Sequence, residues 1–214
     1  MVYDMERGCC SWVLPVFLIL ICTISAGCLT GVPEPVPQAT LTTTVATPTP
    51  ESPVVTRPVA DMALELNDLP QDYTLRDRSV TAYAGVDQIF RDLGWQQGYQ
   101  VSFYRLDKDR DSTTSIIQEI DIYPPDTVND AYSLEKERLL PRNDHATDYQ
   151  VPFPQQGDRS IAWRQVRTTT TVPIVTYTVI FTKKNVYEKI SMTGTSTDYE
   201  ALKTIAQTAA AKIQ

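Results

Sequence analysis

The sequence predicts an α+β domain, one mostly antiparallel sheet covered by two or three helices, and three observations predict it. Segments that alternate polar and apolar residues succeed one another between Tyr99 and Thr193. Several are joined by connections too short for the crossover that a parallel pair needs. The final stretch, Tyr199–Gln214, spaces its apolar residues at three and four instead, as a helix lying on a sheet does. No cysteine occurs after Cys28, so disulfides cannot hold this part and an apolar core must.

The composition changes at Asp61, where the folded domain is expected to begin and run to Gln214. Ala63–Leu66 and Tyr73–Ser79 read as short strands on either side of the turn Asn67-Asp68-Leu69-Pro70. Ala82–Leu93 reads as a helix that stops at Gly94. Tyr99, Val101 and Phe103 alternate with Gln100, Ser102 and Tyr104, which predicts a half-buried strand. Ile116–Tyr123 alternates likewise, with Ile116, Ile120 and Ile122 on one face and Glu119 and Asp121 on the other. After Pro124-Pro125, Asp126 or Thr127 caps a helix that ends near Leu140, before Pro141. A loop rich in Pro and Gln, Val151–Gly157, leads to three strands: Ser160–Thr170, Ile174–Thr182 and Val186–Thr193. Val175, Tyr177, Val179 and Phe181 share the core face of the middle one, and Thr176, Thr178 and Thr182 are expected toward solvent. Thr197 and Glu200 have capping-box spacing, and Leu202, Ile205, Ala206, Ala209 and Ile213 form the stripe behind them.

Four stretches of the second half belong together: Gly157-Asp158-Arg159-Ser160-Ile161-Ala162, Tyr177-Thr178-Val179-Ile180-Phe181, Asn185-Val186-Tyr187-Glu188, and Tyr199-Glu200-Ala201-Leu202 with Ile205-Ala206. They resemble the C-terminal half of small exported lipoprotein domains with the PsbP/Mog1-like fold. There a Gly-Asp turn opens a strand meander and a closing helix packs behind it. The resemblance covers Asp61–Gln214 in element order, and it implies a fold and not a chemistry.

The N-terminus points outside the cytoplasm. Residues 8 to 29 are uncharged and mostly apolar, and Trp12–Ile24 has the length of a signal-peptide core. Ile24-Ser25-Ala26-Gly27-Cys28 resembles the lipobox of bacterial and archaeal lipoproteins, which implies lipid on Cys28 and removal of residues 1–27. An uncleaved membrane helix and ordinary cleavage with release are the competing readings. In either anchored form Arg7 stays inside and the chain after Cys28 lies outside. Residues 29–60 contain seven prolines, eight threonines and no aromatic residue. Such a segment cannot bury enough apolar surface to fold, and it forms a disordered, semi-rigid spacer able to reach roughly 100 Å at about 3.1 Å per residue.

Charge and counting exclude several functions. The formal net charge is −7, and the part from Asp61 onward is also acidic with no basic cluster. Nucleic acid is therefore not an expected partner. The single histidine, His145, stands in the polar loop Pro141–Gln150 and reads as a surface residue. With no cysteine in the domain, a Cys–His dyad and a Cys/His zinc site are excluded by count. Asp107, Asp109 and Asp111 alternate like calcium ligands. Ser112 replaces the turn glycine of the EF-hand loop and Gln118 its last acid, so a solvated hairpin tip is expected and no metal or cofactor is assigned. Trp95, in Gly94-Trp95-Gln96-Gln97-Gly98, either lines a ligand cleft or plugs the end of the core.

The expected function is a non-enzymatic, membrane-tethered domain on the extracytoplasmic side that binds a ligand or an envelope protein partner. The alternative is an extracytoplasmic hydrolase working through carboxylates, with Ca²⁺ as a possible aid. A cleft that collects acids favours the alternative, and a convex surface favours the binder.

Overall fold

Seven strands form one sheet in which every neighbouring pair is antiparallel. They are β1 (Thr74–Val80), β2 (Gln97–Asp107), β3 (Ser112–Ile122), β4 (Tyr149–Val151), β5 (Arg159–Thr168), β6 (Pro173–Lys183) and β7 (Val186–Gly194). The helices are α1 (Gln88–Asp92), α2 (Val128–Leu139) and α3 (Tyr199–Lys212). The structure, a computed structural model, describes residues 54–107, 112–140, 148–168 and 172–214. Residues 1–27, Cys28, the Pro/Thr-rich segment up to residue 53, Asp109, Asp111 and His145 lie outside the described residues.

The strand order is β1-β2-β3-β7-β6-β5-β4, two meanders joined where β3 meets β7. Along that seam Ile116 stands opposite Met192 and Glu119 opposite Lys189. Alternation then sends Ile116, Ile120, Ile122, Ile190 and Met192 to one face with Val179 and Phe181 of β6, all at most 2 % exposed. α3 closes this face. Leu202, Ile205, Ala206, Ala209 and Ile213 are all 0–1 % exposed, as the stripe requires. Two polar residues are buried here as well. Gln118 accepts from the Leu64 amide at 2.7 Å and donates to Glu188 Oε1 at 2.5 Å.

The opposite face carries Ile161, Trp163, Ile180 and Tyr187, and α2 covers them with Val128, Ala131 and Tyr132. This corrects the expectation for the threonines of β6. Thr178 is 3 % and Thr182 0 % exposed, because a helix lies on both faces of the sheet.

Other expectations change locally. Ala63–Leu66 is not a strand; 3-10 turns at Val59–Met62 and Leu66–Asp68 occupy this region. The helix expected over Ala82–Leu93 is a 3-10 turn at Tyr83–Gly85 followed by the five residues of α1, with Asp87 capping the latter. It ends at Gly94, whose φ of +82° suits a residue without Cβ. The cap of α3 is Asp198, which accepts from the amides of Glu200 at 2.9 Å and Ala201 at 3.1 Å, and not Thr197. The packed region also reaches upstream of Asp61. Val55 and Val59 are buried, and the Val55 amide donates to Asn185 Oδ1 at 2.7 Å. The turn Gly157-Asp158 does open β5. Gly157 has φ +59°, and a Cβ there would collide with the Thr182 carbonyl.

Candidate functional site

A cleft of about 340 Å³ opens on the α2 side of the sheet, where α2 has moved off toward β6 and β7 and the short α1 leaves β2 and β3 uncovered. Its floor follows from strand register. β3 turns Glu119 and Asp121 to this face, and β7 places Lys189 and Tyr187 directly across from them. α2 brings Glu135 and Arg138, three residues apart and so on one side of the helix. α1 and its approach supply Val86, Asp87 and Phe90, and the loop into β2 supplies Trp95.

The wall is fastened at both ends of α1. Arg138 donates to Asp87 Oδ2 at 2.6 Å at the start, and the Thr127 hydroxyl donates to the Leu93 carbonyl at 2.6 Å at the finish. The Arg138 guanidinium also lies 4.7 Å from the centre of the Phe90 ring. This guanidinium holds Asp87 below the ordinary carboxylate pKa.

Lys189 bridges two acids, at 3.0 Å from Glu119 Oε2 and 3.1 Å from Glu135 Oε1. Burial pulls its ammonium downward, but Glu119 and Glu135 outweigh burial and hold its pKa above the usual lysine value. Asp121 makes no ion pair among the described residues. Its Oδ1 accepts the indole N–H of Trp95 at 2.7 Å. Gly98 stands opposite Asp121 in register and makes this possible, since a Cβ there would meet both Asp121 Oδ1 and the Trp95 ring. Burial pushes Asp121 up to about 6; the indole bond opposes the rise, Glu119 and Glu135 add to it, and Lys189 opposes it.

Tyr187 is 4 % exposed, and its hydroxyl is buried with no hydrogen-bond partner among the described residues. Burial first, then the carboxylates of Glu135, Glu119 and Asp121, push its pKa well above that of free tyrosine. Tyr123 is pushed upward by burial and by Asp121. Both phenols therefore stay protonated and are able to donate. The cleft thus combines apolar walls, a locked ion-pair cluster and, among the described residues, one carboxylate without an ion-pair partner and one phenol without a bond. Such a site can bind and orient a small molecule.

Of the residues singled out by sequence, Trp95 lies in this cleft. It is 7 % exposed and both plugs the core end, beside Tyr123, and faces the cleft through its N–H. Asp107 ends β2 opposite Ser112, at the far end of a strand that begins two residues after Trp95, and is not brought here. Among the described residues no group of three or more His, Cys, Asp or Glu could hold a metal ion. Sequence reasoning placed Glu119 and Asp121 together on a strand face but missed Tyr187, Lys189, Glu135 and Arg138. The available signal was Tyr187-Glu188-Lys189, which puts charge on both faces of a central strand.

No family model matches this chain, and no curated protein matches it. Among solved structures, an X-ray structure of an uncharacterised protein from Mycobacterium smegmatis is similar, with 10 % sequence identity and a TM-score of 0.42. The match covers 77 % of this chain and 98 % of that one.

Proposed function

We propose that this protein is an exported lipoprotein whose domain binds a small ligand in the cleft without transforming it, tethered through Cys28 and the Pro/Thr-rich segment. The observation that carries the reading is the pairing of Trp95 with Asp121 inside a cleft of about 340 Å³, a size typical of small-molecule sites. The apolar run ending at Cys28 supports the tether and, with it, an extracytoplasmic position for the domain. The turn at Gly157-Asp158, the meander behind it and the closing helix α3 support a PsbP-like fold. An envelope protein that delivers or receives the ligand is the partner this reading implies.

The second reading, a carboxylate-dependent hydrolase, is favoured by Asp121, whose pKa of about 6 would let it hold a proton near neutrality. It lacks a second poised acid, because Glu119 and Glu135 are both engaged by Lys189.

The test is a thermal-shift screen of the full chain in detergent against small cationic, anionic and neutral compounds. Binding predicts stabilising compounds that are recovered intact and whose effect disappears in Trp95→Ala. Recovery of cleaved compound would move the assignment to the hydrolase, and a silent screen would remove the ligand-binding reading. For the tether, Cys28→Ser should abolish processing and acquired lipid mass; a mature protein that keeps residues 1–27 refutes it.

A further inference from the structure

We infer that the cleft takes an organic cation, a substituted ammonium whose N–H groups bond to Asp121 while its apolar body lies against Trp95 and Phe90. The inference rests on the ligand-binding reading and names the class of ligand.

Besides the neutral phenols of Tyr123 and Tyr187, the ionisable residues lining the cleft are four acids, Asp87, Glu119, Asp121 and Glu135, and two bases, Arg138 and Lys189. Both bases are already bonded. Lys189 serves Glu119 and Glu135, and Arg138 serves Asp87. Four acids against two bases leave an excess of two negative charges: one is shared within the Glu119–Glu135 cluster, held by Lys189 and at 4.0 Å by Arg138, and the other is at Asp121, whose hydrogen bond is with a neutral indole. A partly buried carboxylate in this state takes up either a proton or a cation. An anionic ligand would add to the excess.

The choice between metal and organic cation follows from the neighbours. Divalent ions collect six or more oxygen ligands, or keep several waters and a few carboxylates. Here the nearest acids are bridged by the Lys189 ammonium, and among the described residues no metal-holding cluster exists. An ammonium on a carbon body uses what the site offers instead: a carboxylate for its N–H groups and aromatic walls for both cation and carbon. The buried hydroxyl of Tyr187, opposite Asp121 in register, adds a donor with no partner among the described residues. It suits a hydroxyl, ether or carbonyl oxygen near the ammonium.

Binding should then follow the ionisation of Asp121. The charged and titratable groups around it are Glu119 on its own strand, Lys189 and Tyr187 on β7, Glu135 on α2, and Tyr123. Of these the phenols stay neutral, and Lys189 stays charged between its acids. An Asp121 pKa of about 6 leaves roughly a tenth ionised at pH 5, so affinity should fall about ten-fold from pH 8 to pH 5.

The experiment is calorimetry on the full chain in detergent with benzylammonium chloride, benzyl alcohol and sodium benzoate, three probes of one shape and different charge. Saturable binding of benzylammonium at least ten-fold tighter than the other two, weakening at pH 5 and losing its preference in Asp121→Asn, is expected. Tyr187→Phe, which keeps the ring, should weaken binding of an ammonium probe that carries a neighbouring hydroxyl, 2-phenylglycinol. Equal binding of all three probes would overturn the cation assignment and leave the ligand-binding reading standing. Failure of benzylammonium to bind at pH 8 would overturn the assignment also, while the broader thermal-shift screen separately decides the reading.

Discussion

The indole N–H of Trp95 and the Oδ1 of Asp121 are 2.7 Å apart, and this is the one hydrogen bond the Asp121 side chain makes among the described residues. The donor is neutral, so it satisfies an oxygen without cancelling the charge. Trp95→Phe keeps a ring in the core but removes that donor. Asp121 should then titrate above its present value of about 6, and the domain should lose on the order of 1–3 kcal/mol from the lost bond and ring area. Carboxyl NMR titration and urea unfolding measure the two effects. An Asp121 pKa that stays put would mean the indole bond does not stabilise the carboxylate.

Asp121→Asn keeps an acceptor for Trp95 and removes the charge. The folded-state pKa of about 6 exceeds the ordinary 3.8, so the native protein binds more protons than the unfolded chain between those values. The contribution of Asp121 to stability is therefore full below 3.8 and is lost as pH rises to about 6. The variant should match the parent near pH 3.5 and exceed it at pH 8, by about 1–2 kcal/mol once solvent access to this partly buried group is discounted. Unfolding curves at the two pH values decide it.

Glu188 makes a stronger case on the other face of the sheet. It is 0 % exposed, burial pushes it up to about 8 against the pull of Gln118 and Lys212, and its Oε2 has no hydrogen-bond partner among the described residues. By the same sign, its contribution is full below pH 4.5 and is lost as pH rises toward about 8. Glu188→Gln retains the oxygen that Gln118 bonds and should raise the melting temperature at pH 8 while leaving it unchanged at pH 4. Parallel stability–pH curves for parent and variant would refute the buried acid.

The start of α3 separates two adjacent side chains. Asp198 accepts two first-turn amides, so Asp198→Ala should cost about 1 kcal/mol. Thr197→Ala should stay within about 0.5 kcal/mol, as substitutions away from such features do. The reverse ranking by chemical denaturation would restore Thr197 as the cap.

Limited proteolysis should leave a resistant fragment beginning near Val54 and not at Asp61, since Val55 is 4 % and Val59 5 % exposed. Removing residues up to Ala60 also leaves the buried Asn185 without its Val55 partner. N-terminal sequencing of the fragment reads the boundary directly.

The sequence made the long strands legible because alternation and short connections leave few other solutions, and it made α3 legible because five apolar residues share one stripe. β4 has three residues, too few for any period to appear, and its place depends on Val151 meeting Ala162. Val55 stands inside a Pro/Thr-rich composition, and contacts far along the chain make it part of the core, among them its amide bond to Asn185, 130 residues away. The site was legible as far as Glu119 and Asp121 sharing a strand face. That this face becomes the floor of a cleft depends on Lys189 and Tyr187 arriving from a distant strand and on α2 settling over β6 and β7. Neither is a local property of the chain.

The seam between β3 and β7 also sets an order of events during synthesis. β1, β2 and β3 leave the ribosome first as a three-stranded ribbon, with the open edge of β3 and the isoleucines Ile116, Ile120 and Ile122 uncovered. The strand that pairs with that edge arrives late: the seam contact of Gln118 and Glu188 spans 70 residues. Non-local pairing of this kind is slow, and a bare strand edge invites association with other chains. α3, which covers the same isoleucine face, is made last of all. The nascent first half therefore cannot complete its structure alone and is exposed to aggregation until β7 and α3 arrive.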